Sequence, residues 1–290
     1  MNAALALPLR SGPNAAKRIA IGLVVAPAIF LHLNANPIEV DLGTANNFAV
    51  LAGSTVTSAS TTTINGGDVG LSPGTSITGP ITISPPYTTH VADGVALQAQ
   101  NALTTAYNQA VGLVVSQTLT GQDLGGLTLT PGVYFFSSSA QLTGTLTLNG
   151  EGLADPVFVF QIGSTLTTAS NSSVVTINDG DSSTPGISVF WQVGSSATLG
   201  TGTAFEGNIL ALTSITAATG ATVLDGRLLA RNGAVTLDGN NIMAPPAEVI
   251  GGGGNGGGGE KVPDTASTLL LLGSGLAALL GFGRRFPFRA

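Results

Sequence analysis

The sequence predicts a mainly β protein whose short strands wind into the stacked coils of a β-solenoid, with one long α-helix packed along a face. Three observations carry that expectation. The 290 residues include 41 Gly and 35 Thr, with only 5% aromatic and 8% charged residues. This is a composition of turns and small β-formers, far from the roughly 25% charged share of ordinary soluble domains. The stretch QIGSTLTTAS at 161–170 nearly repeats LAGSTVTSAS at 51–60 and returns as QVGSSATLGT at 192–201; self-similarity of this kind signals a repeat architecture. One segment, residues 90–111, abandons two-residue alternation for helical spacing.

The first element in chain order lies outside the fold. Residues 1–36 carry Arg10, Lys17 and Arg18, the apolar run IAIGLVVAPAIFLHL and a short NAN, the layout of a secretory signal peptide cleaved near Ala35. The alternative is a single N-terminal anchor, for which the run is shorter than the roughly 20 residues a spanning helix needs. Residues 37–250 then form the solenoid domain. Its early coils show in Val56, flanked by Thr55 and Thr57, and in Ile77, flanked by Ser76 and Thr78. A helix follows over about 91–113, with Asp93 as N-cap and an Ala-rich stripe of Val95, Ala99, Ala102, Leu103, Ala106, Ala110 and Val111. So narrow a stripe suits a flat partner, so the helix is expected along one face, dividing the coils into an earlier and a later set.

Five later segments, 133–148, 157–177, 189–209, 210–228 and 229–243, each read as one coil of about 20 residues containing short period-2 strands separated by Gly, Asn or Ser. Leu142, Leu166, Ala197, Ile215 and Val235 align as an inward ladder. Strand neighbours point to opposite sides, so the residues that follow, Thr143, Thr167, Thr198, Thr216 and Thr236, form an outward column. Those that precede, Gln141, Thr165, Ser196, Ser214 and Ala234, form a second, and Ser170, Thr201 and Thr219 a partial third.

Beyond the coils lies a Gly-rich linker, 251–261, which has no apolar residues with which to bury a core and serves as a tether. Residues 262–290 combine the motif Val262-Pro263-Asp264, followed by Ser267 and Thr268, with about 17 apolar residues and the basic pair Arg284 and Arg285. This tail resembles the PEP-CTERM class of sorting signals in its VPD variant. The resemblance implies processing by an exosortase-type enzyme, transient contact with the inner membrane through the terminal segments, and release to the cell surface or extracellular matrix. The alternative is a plain C-terminal anchor.

The residue inventory disfavours most other chemistry. Absence of Cys removes thiol catalysis, Cys-ligated zinc and disulfides. Residues 37–250 hold thirteen acids against Arg227 and Arg231 alone, and a surface near net −11 repels nucleic acid and anionic lipid. Polysaccharide lyase chemistry would have to use Arg227, Arg231, Asp225 and Asp238, which are expected instead to pair with one another. NDGDSSTPG at 178–186 lacks the full alternation of oxygen donors of a calcium loop and reads as an acidic surface turn. His90 is expected to cap the helix or face solvent rather than bind metal. Phe158, Phe160, Phe190 and Trp191 read as core or as residues beneath the helix. GGGGNGGGG opens no helix bearing Lys-Ser/Thr and is no phosphate loop. No catalytic residue, metal or cofactor is expected, and the protein is expected to be a monomer.

The threonine columns raise a question of their own. Thr favours strands, and ladders of like residues stabilise stacked rungs, which alone could explain them. Yet rungs at roughly 4.8 Å and alternate strand residues at about 6.7 Å make a flat lattice whose spacings are comparable to oxygen repeats in crystalline ice. Such a ligand competes with chemically identical solvent, so recognition must use many weak, rigidly placed groups. Thr supplies them through a β-branch that restricts χ1, a methyl and a hydroxyl.

LGTANNFAVLAGSTVT, LTGQDLGGLTLTPGVYFFSSSAQLTGTLTL, VFWQVGSSATLGTGTAFEGNILALTSIT and RLLARNGAVTLDGNNI resemble the microbial ice-binding (antifreeze) protein family over about residues 41–245. The resemblance implies a right-handed discontinuous β-solenoid with an accompanying helix, secretion, ice adsorption and inhibition of ice recrystallisation without turnover. It also implies an ice-facing surface bearing Thr-Ala/Gly-x-Thr/Asn. Thr216-Ala217-Ala218-Thr219 meets this pattern; Thr198-Leu199-Gly200-Thr201 departs at the second position, and Thr167-Thr168-Ala169-Ser170 at the second and fourth. The implied ice-binding residues are Thr143, Thr165, Thr167, Ser196, Thr198, Thr201, Ser214, Thr216, Thr219 and Thr236, and the implied partner is an ice crystal surface. An extracellular adhesin or carbohydrate-binding matrix protein on the same fold stays open as the alternative.

Overall fold

The structure, a computed structural model, describes residues 40–180 and 186–245. The expected signal peptide, linker and sorting tail, with Val262, Pro263, Asp264, Ser267 and Thr268, lie outside the described residues, as does most of the acidic turn at 178–186. Among the described residues no helix is long and apolar enough to cross a membrane.

Three parallel sheets form the walls of the solenoid, each complete coil contributing a short strand to each and the end coils only to one or two. A nine-stranded sheet runs Thr89–Val91, Asp68–Leu71, Phe48–Ala52, Leu228–Ala230, Asn208–Ala211, Ser188–Val193, Val157–Ile162, Gly132–Phe136, Gln117–Thr118. The seven-stranded sheet runs Ala140–Leu142, Leu166–Thr168, Ala197–Leu199, Ile215–Ala217, Val235–Leu237, Thr55–Ser58, Ser76–Thr78. An eight-stranded third sheet begins at Ile81–Ile83 and ends at Thr128–Leu129. The order settles how the two sets of coils join. The chain starts in the middle of the stack, adds one coil outward, crosses to the far end through the helix and then builds back, until the coil at 228–243 docks on the first. Val50 pairs Leu228, Val56 pairs Val235 and Ile64 pairs Ile242 across that seam.

Glycine permits the sharp corners. Gly66 has φ +84°, and a Cβ there would collide with the Ala244 carbonyl oxygen of the neighbouring coil.

The interior is a column of apolar residues from all three walls. Its bulkiest part is an aromatic stack: Tyr134 and Phe160 at 5.5 Å, Phe160 and Trp191 at 3.9 Å and nearly coplanar, Trp191 and Phe205 at 5.0 Å. Stacked aromatic pairs contribute beyond their area, and the Trp191 indole N–H, which burial would otherwise leave unpaired, donates to the Glu206 carbonyl at 3.0 Å. Phe158 lies in this interior as well, whereas Phe190 faces outward, beneath the helix.

The helix, α1 (Gly94–Gly112), covers the outer side of the nine-stranded sheet. Its roughly 28 Å at 1.5 Å per residue runs most of the way along the roughly 38 Å of nine strands. Ala99, Leu103, Ala106 and Ala110 pack on Leu51, Val133, Val159, Phe190, Leu210 and Leu229. A sheet buried on both faces needs apolar side chains at successive positions, and VFVFQI and SVFWQV supply them. Asp93 caps the helix as expected, its carboxylate accepting the Ala96 amide at 2.8 Å. The stripe itself is narrower than expected. Val95 and Val111 are exposed, each roughly 80° around the helix from Leu103, while Ala96, Gln100 and Tyr107 are buried. His90 sits at the cap, Nδ1 2.8 Å from Asp93 and Nε2 3.7 Å from Asp68.

Polar groups hold the helix as much as apolar ones. Gln161 and Gln192 are register partners in adjacent strands. The Gln161 amide nitrogen lies 2.8 Å from the Ala110 carbonyl, 3.3 Å from Val111 and 3.0 Å from Leu113, closing carbonyls that the helix terminus leaves free. Gln192 donates to the Tyr107 hydroxyl at 2.8 Å. Gln161→Leu is expected to cost about 1–3 kcal/mol, the penalty of stranding buried acceptors. Denaturant unfolding measures it, and hydrogen exchange should quicken first at the C-terminal turn of α1.

The expected ion pairs of the two arginines do not form. Arg227, buried at 2% exposure, donates to the carbonyls of Asn46 at 2.9 and 3.1 Å and Pro245 at 2.9 Å, and to Asn208 Oδ1 at 3.1 Å. Arg231 lies over the Tyr107 ring at 4.7 Å and donates to Thr104. Carbonyls replace carboxylates because Arg227 points into the seam where the first and last coils meet, and Asp225 and Asp238 occupy outer turns. Desolvation lowers the Arg227 pKa to about 10, which leaves it charged at neutral pH.

Candidate functional surface

The outer side of the seven-stranded sheet is a lattice of small hydroxyl side chains. Backbone pairing places Thr167, Thr198, Thr216, Thr236, Thr57 and Thr78 in one register column. The first five are each preceded by a buried inward residue, from Leu166 and Ala197 to Val56, and Thr78 by the half-buried Ile77. A parallel column two residues earlier holds Ser139, Thr165, Ser196, Ser214, Ala234, Thr55 and Ser76. Neither column contains a charged residue.

The two columns are chemically different. In the earlier one, hydroxyls are partly committed to the neighbouring coil. Thr165 donates to Ser139 at 2.8 Å, and Ser196 and Ser214 accept the amides of Ser214 and Ala234 at 3.3 and 3.2 Å. In the threonine column no hydroxyl is bonded to another protein group among the described residues, so each presents its methyl and its hydroxyl to solvent. Their χ1 torsions are restricted by the β-branch, and the sheet fixes their positions.

One expected member is displaced. Gln141, not Thr143, occupies the column next to Thr167, because Ala140 pairs with Leu166 and Leu142 with Thr168. Thr143 lies two residues beyond, in the turn, its amide donating to Asp123 at 2.8 Å. A two-residue slip keeps every side chain on its own side of the strand, so alternation alone cannot detect it. The adjacent pairing of Phe136 with Ile162 fixes the register. Conversely, Thr57 and Thr78 with Thr55 and Ser76, residues of the early coils, join the columns through the seam with Thr236. Their VT and IT pairs were visible in the sequence; their neighbours were not.

The motif departures at the second position are interior, whereas the one at Ser170 is exposed. Ala217, Leu199 and Thr168, the second positions of the three motifs, are all buried, and Thr168 shares a 2.8 Å hydrogen bond with Thr203 inside the coil. The fourth positions, Ser170, Thr201 and Thr219, are exposed along the corner between the seven-stranded and third sheets. Thr219 donates its hydroxyl to Asp238.

The third sheet provides a comparison. It too carries an outward polar column, including Thr82, Thr63, Asn241 and Thr222. Its exposed positions, however, also include Val175, Leu224 and Met243, and the half-buried Glu206 pairs with Leu224, so its surface is uneven in size and charge. Burial pushes the Glu206 carboxyl up to about 7, a Thr176 hydroxyl pulls it back and Asp225 adds to the rise. Since the folded protein holds the proton after the unfolded chain has released it, stability is expected to fall as pH rises from about 4.5 to about 7 and then level. At about 1.4 kcal/mol per pH unit the loss would be about 3 kcal/mol, cut to about 1–2 by solvent screening of this partly exposed group. Thermal melts over that pH range should slope for the wild type and flatten for Glu206→Gln.

Comparison with known proteins follows the same residues. Positions 50–243 match the family model described as Ice-binding-like. The chain is 53% identical over 253 residues to the ice-binding protein of Nostoc sp. (strain HG1), covering 84% of this chain and 87% of that one. It is 36% identical to that of Colwellia sp, covering 79% and 93%. Among solved structures, the ice binding protein from an Antarctic Biological Consortium is 48% identical with a TM-score of 0.65, covering 71% of this chain and 90% of that one. The ice-binding protein of the Antarctic ascomycete Antarctomyces psychrotrophicus is 40% identical with a TM-score of 0.64, covering 72% and 99%.

Proposed function

Because the chain belongs to the ice-binding-like family, we propose that it adsorbs to ice through the seven-stranded threonine sheet, inhibiting ice growth and recrystallisation. The observation that carries this is the register-matched, uncharged column of Thr167, Thr198, Thr216, Thr236, Thr57 and Thr78. Thr165, Ser196 and Ser214 make the second row, and Thr201 and Thr219 the margin. Methyls confine where first-layer water can sit and hydroxyls anchor it, so that water is ordered before contact and little entropy remains to be lost. Ice held at such points advances only by bulging between them, and the curvature opposes growth. Nothing is turned over, and no cofactor takes part.

The same proposal covers placement. The N-terminal segment directs export, and an exosortase-type enzyme recognises Val262-Pro263-Asp264 with Ser267 and Thr268, leaving the protein at the cell surface or in the matrix. The described chain ends at Pro245, whose carbonyl Arg227 ties beside that of Asn46, away from the seven-stranded sheet.

Purified protein should facet growing ice crystals and halt recrystallisation at low concentration. If crystals instead grow and coarsen as in buffer at every concentration, the proposal fails and adhesion to a matrix or carbohydrate becomes the better account.

A further inference from the structure

The corner column at the edge of the threonine sheet is broken by one acid. Backbone bonds run from Asn171 to the Thr201 carbonyl at 2.9 Å, from Gly202 to Thr219 at 3.0 Å and from Gly220 to Asp238 at 3.0 Å. Thr201, Thr219 and Asp238 therefore hold the same place in successive coils, with Ser170 before them. The coil after Asp238 brings Ser60 beside the neighbouring Gly239, and the Thr219 hydroxyl donates to the Asp238 carboxylate. A run of hydroxyls thus has a carboxylate where its fourth member should be.

We infer that Asp238 limits the ice affinity of this surface, and that replacing its carboxylate with a hydroxyl strengthens adsorption. The inference rests on the ice-adsorption reading above. Two physical effects support it. A carboxylate accepts and does not donate, so the Thr219 hydroxyl turns its proton toward it and away from interfacial water. The ionised group also binds its own hydration shell tightly, in an arrangement set by charge rather than by the lattice, and stripping or straining that shell costs free energy on contact. Hydrogen bonding, from Thr219 first, holds its pKa below the ordinary value, so the charge persists at neutral pH. The turn does not depend on the carboxylate, because Asn240 Oδ1 accepts the Asp238 backbone amide at 2.7 Å.

Asp238→Thr and Asp238→Asn separate the two effects. Asp238→Thr should stop recrystallisation at a severalfold lower concentration than wild type. Asp238→Asn, which removes the charge but leaves an acceptor for the Thr219 hydroxyl, should fall between them. Thr219→Val should lower activity only slightly in the wild-type background, where that hydroxyl is already committed to Asp238, and severalfold more in the Asp238→Thr background, where it is released to interfacial water; an equal loss in both would overturn the coupling to Asp238. Circular dichroism and melting check the fold, and Asp238→Asn carries the test should the threonine variant not fold. An inert wild type overturns the ice reading itself. An active wild type with folded variants that are no better overturns the role of Asp238 alone.

Discussion

Thr198→Tyr and Thr216→Tyr should each abolish ice recrystallisation inhibition at concentrations where the wild type is fully active, a loss of at least about tenfold. The two residues pair directly across adjacent strands at the centre of the threonine column. Their side chains leave the coil while Ala197 and Ile215 beside them fill it, so a phenol ring has room to stand outward but lifts any flat solid off the neighbouring threonines. Because many weak contacts must form together, one raised ring disables the surface around it. Stability should change by no more than about 0.5 kcal/mol, as for surface substitutions that disturb no packing. Recrystallisation assays paired with circular dichroism and melting curves decide the matter: a folded variant with wild-type activity would move the ice-contacting surface to another side of the coil. Thr143→Tyr, in the turn beyond the column, serves as the control and should lose far less.

Trp191→Ala should have the opposite profile, with large damage to the fold and none aimed at the surface. Trp191 is fully buried, nearly coplanar with Phe160 at 3.9 Å and in contact with Phe205 at 5.0 Å. Truncation leaves a cavity that rungs locked on both sides cannot close, for an expected cost of about 3–5 kcal/mol. For a domain of this size that lowers the melting temperature by roughly 6–20 °C. Denaturant unfolding at fixed temperature measures the loss. The fraction that stays folded near the freezing point should retain ice activity, because the threonine sheet is paired independently of the indole. A melting temperature within a degree or two of wild type would mean that the stack contributes little and that the ladder of backbone bonds dominates stability.

Several particulars show how far local pattern carries. Asp93 followed by alanines at helical spacing is enough to place a capped helix, because capping and amphipathicity involve neighbours in the chain. Phe158, Phe160, Phe190 and Trp191 read as core or as residues beneath the helix, and the strands VFVFQI and SVFWQV carry both kinds, Phe190 under the helix and the other three inside the coil. Thr143 marks where local pattern stops: TLT and LTG look alike to a two-residue period, and the pairing of Phe136 with Ile162, seven residues upstream of Thr143, places Gln141 in the column instead. The arginines mark it again. Their charge and spacing suggested nearby acids, whereas Arg227 spends its donors on carbonyls of Asn46 and Pro245, distant in sequence and brought together by the seam. The commitment of the Thr219 hydroxyl to Asp238 depends likewise on which coil lies next.

Alternation along a strand, recurrence about every twenty residues and the near absence of charge are written into the chain, and from them came the solenoid, its helix and the threonine-bearing side. Docking of the last coil on the first decided how long that side is, carrying Thr57 and Thr78 onto the end of a row begun by Thr167. The reason is that side-chain direction is set by the nearest peptide bonds, whereas the neighbour across a parallel ladder is chosen by burial and backbone pairing summed over the whole stack.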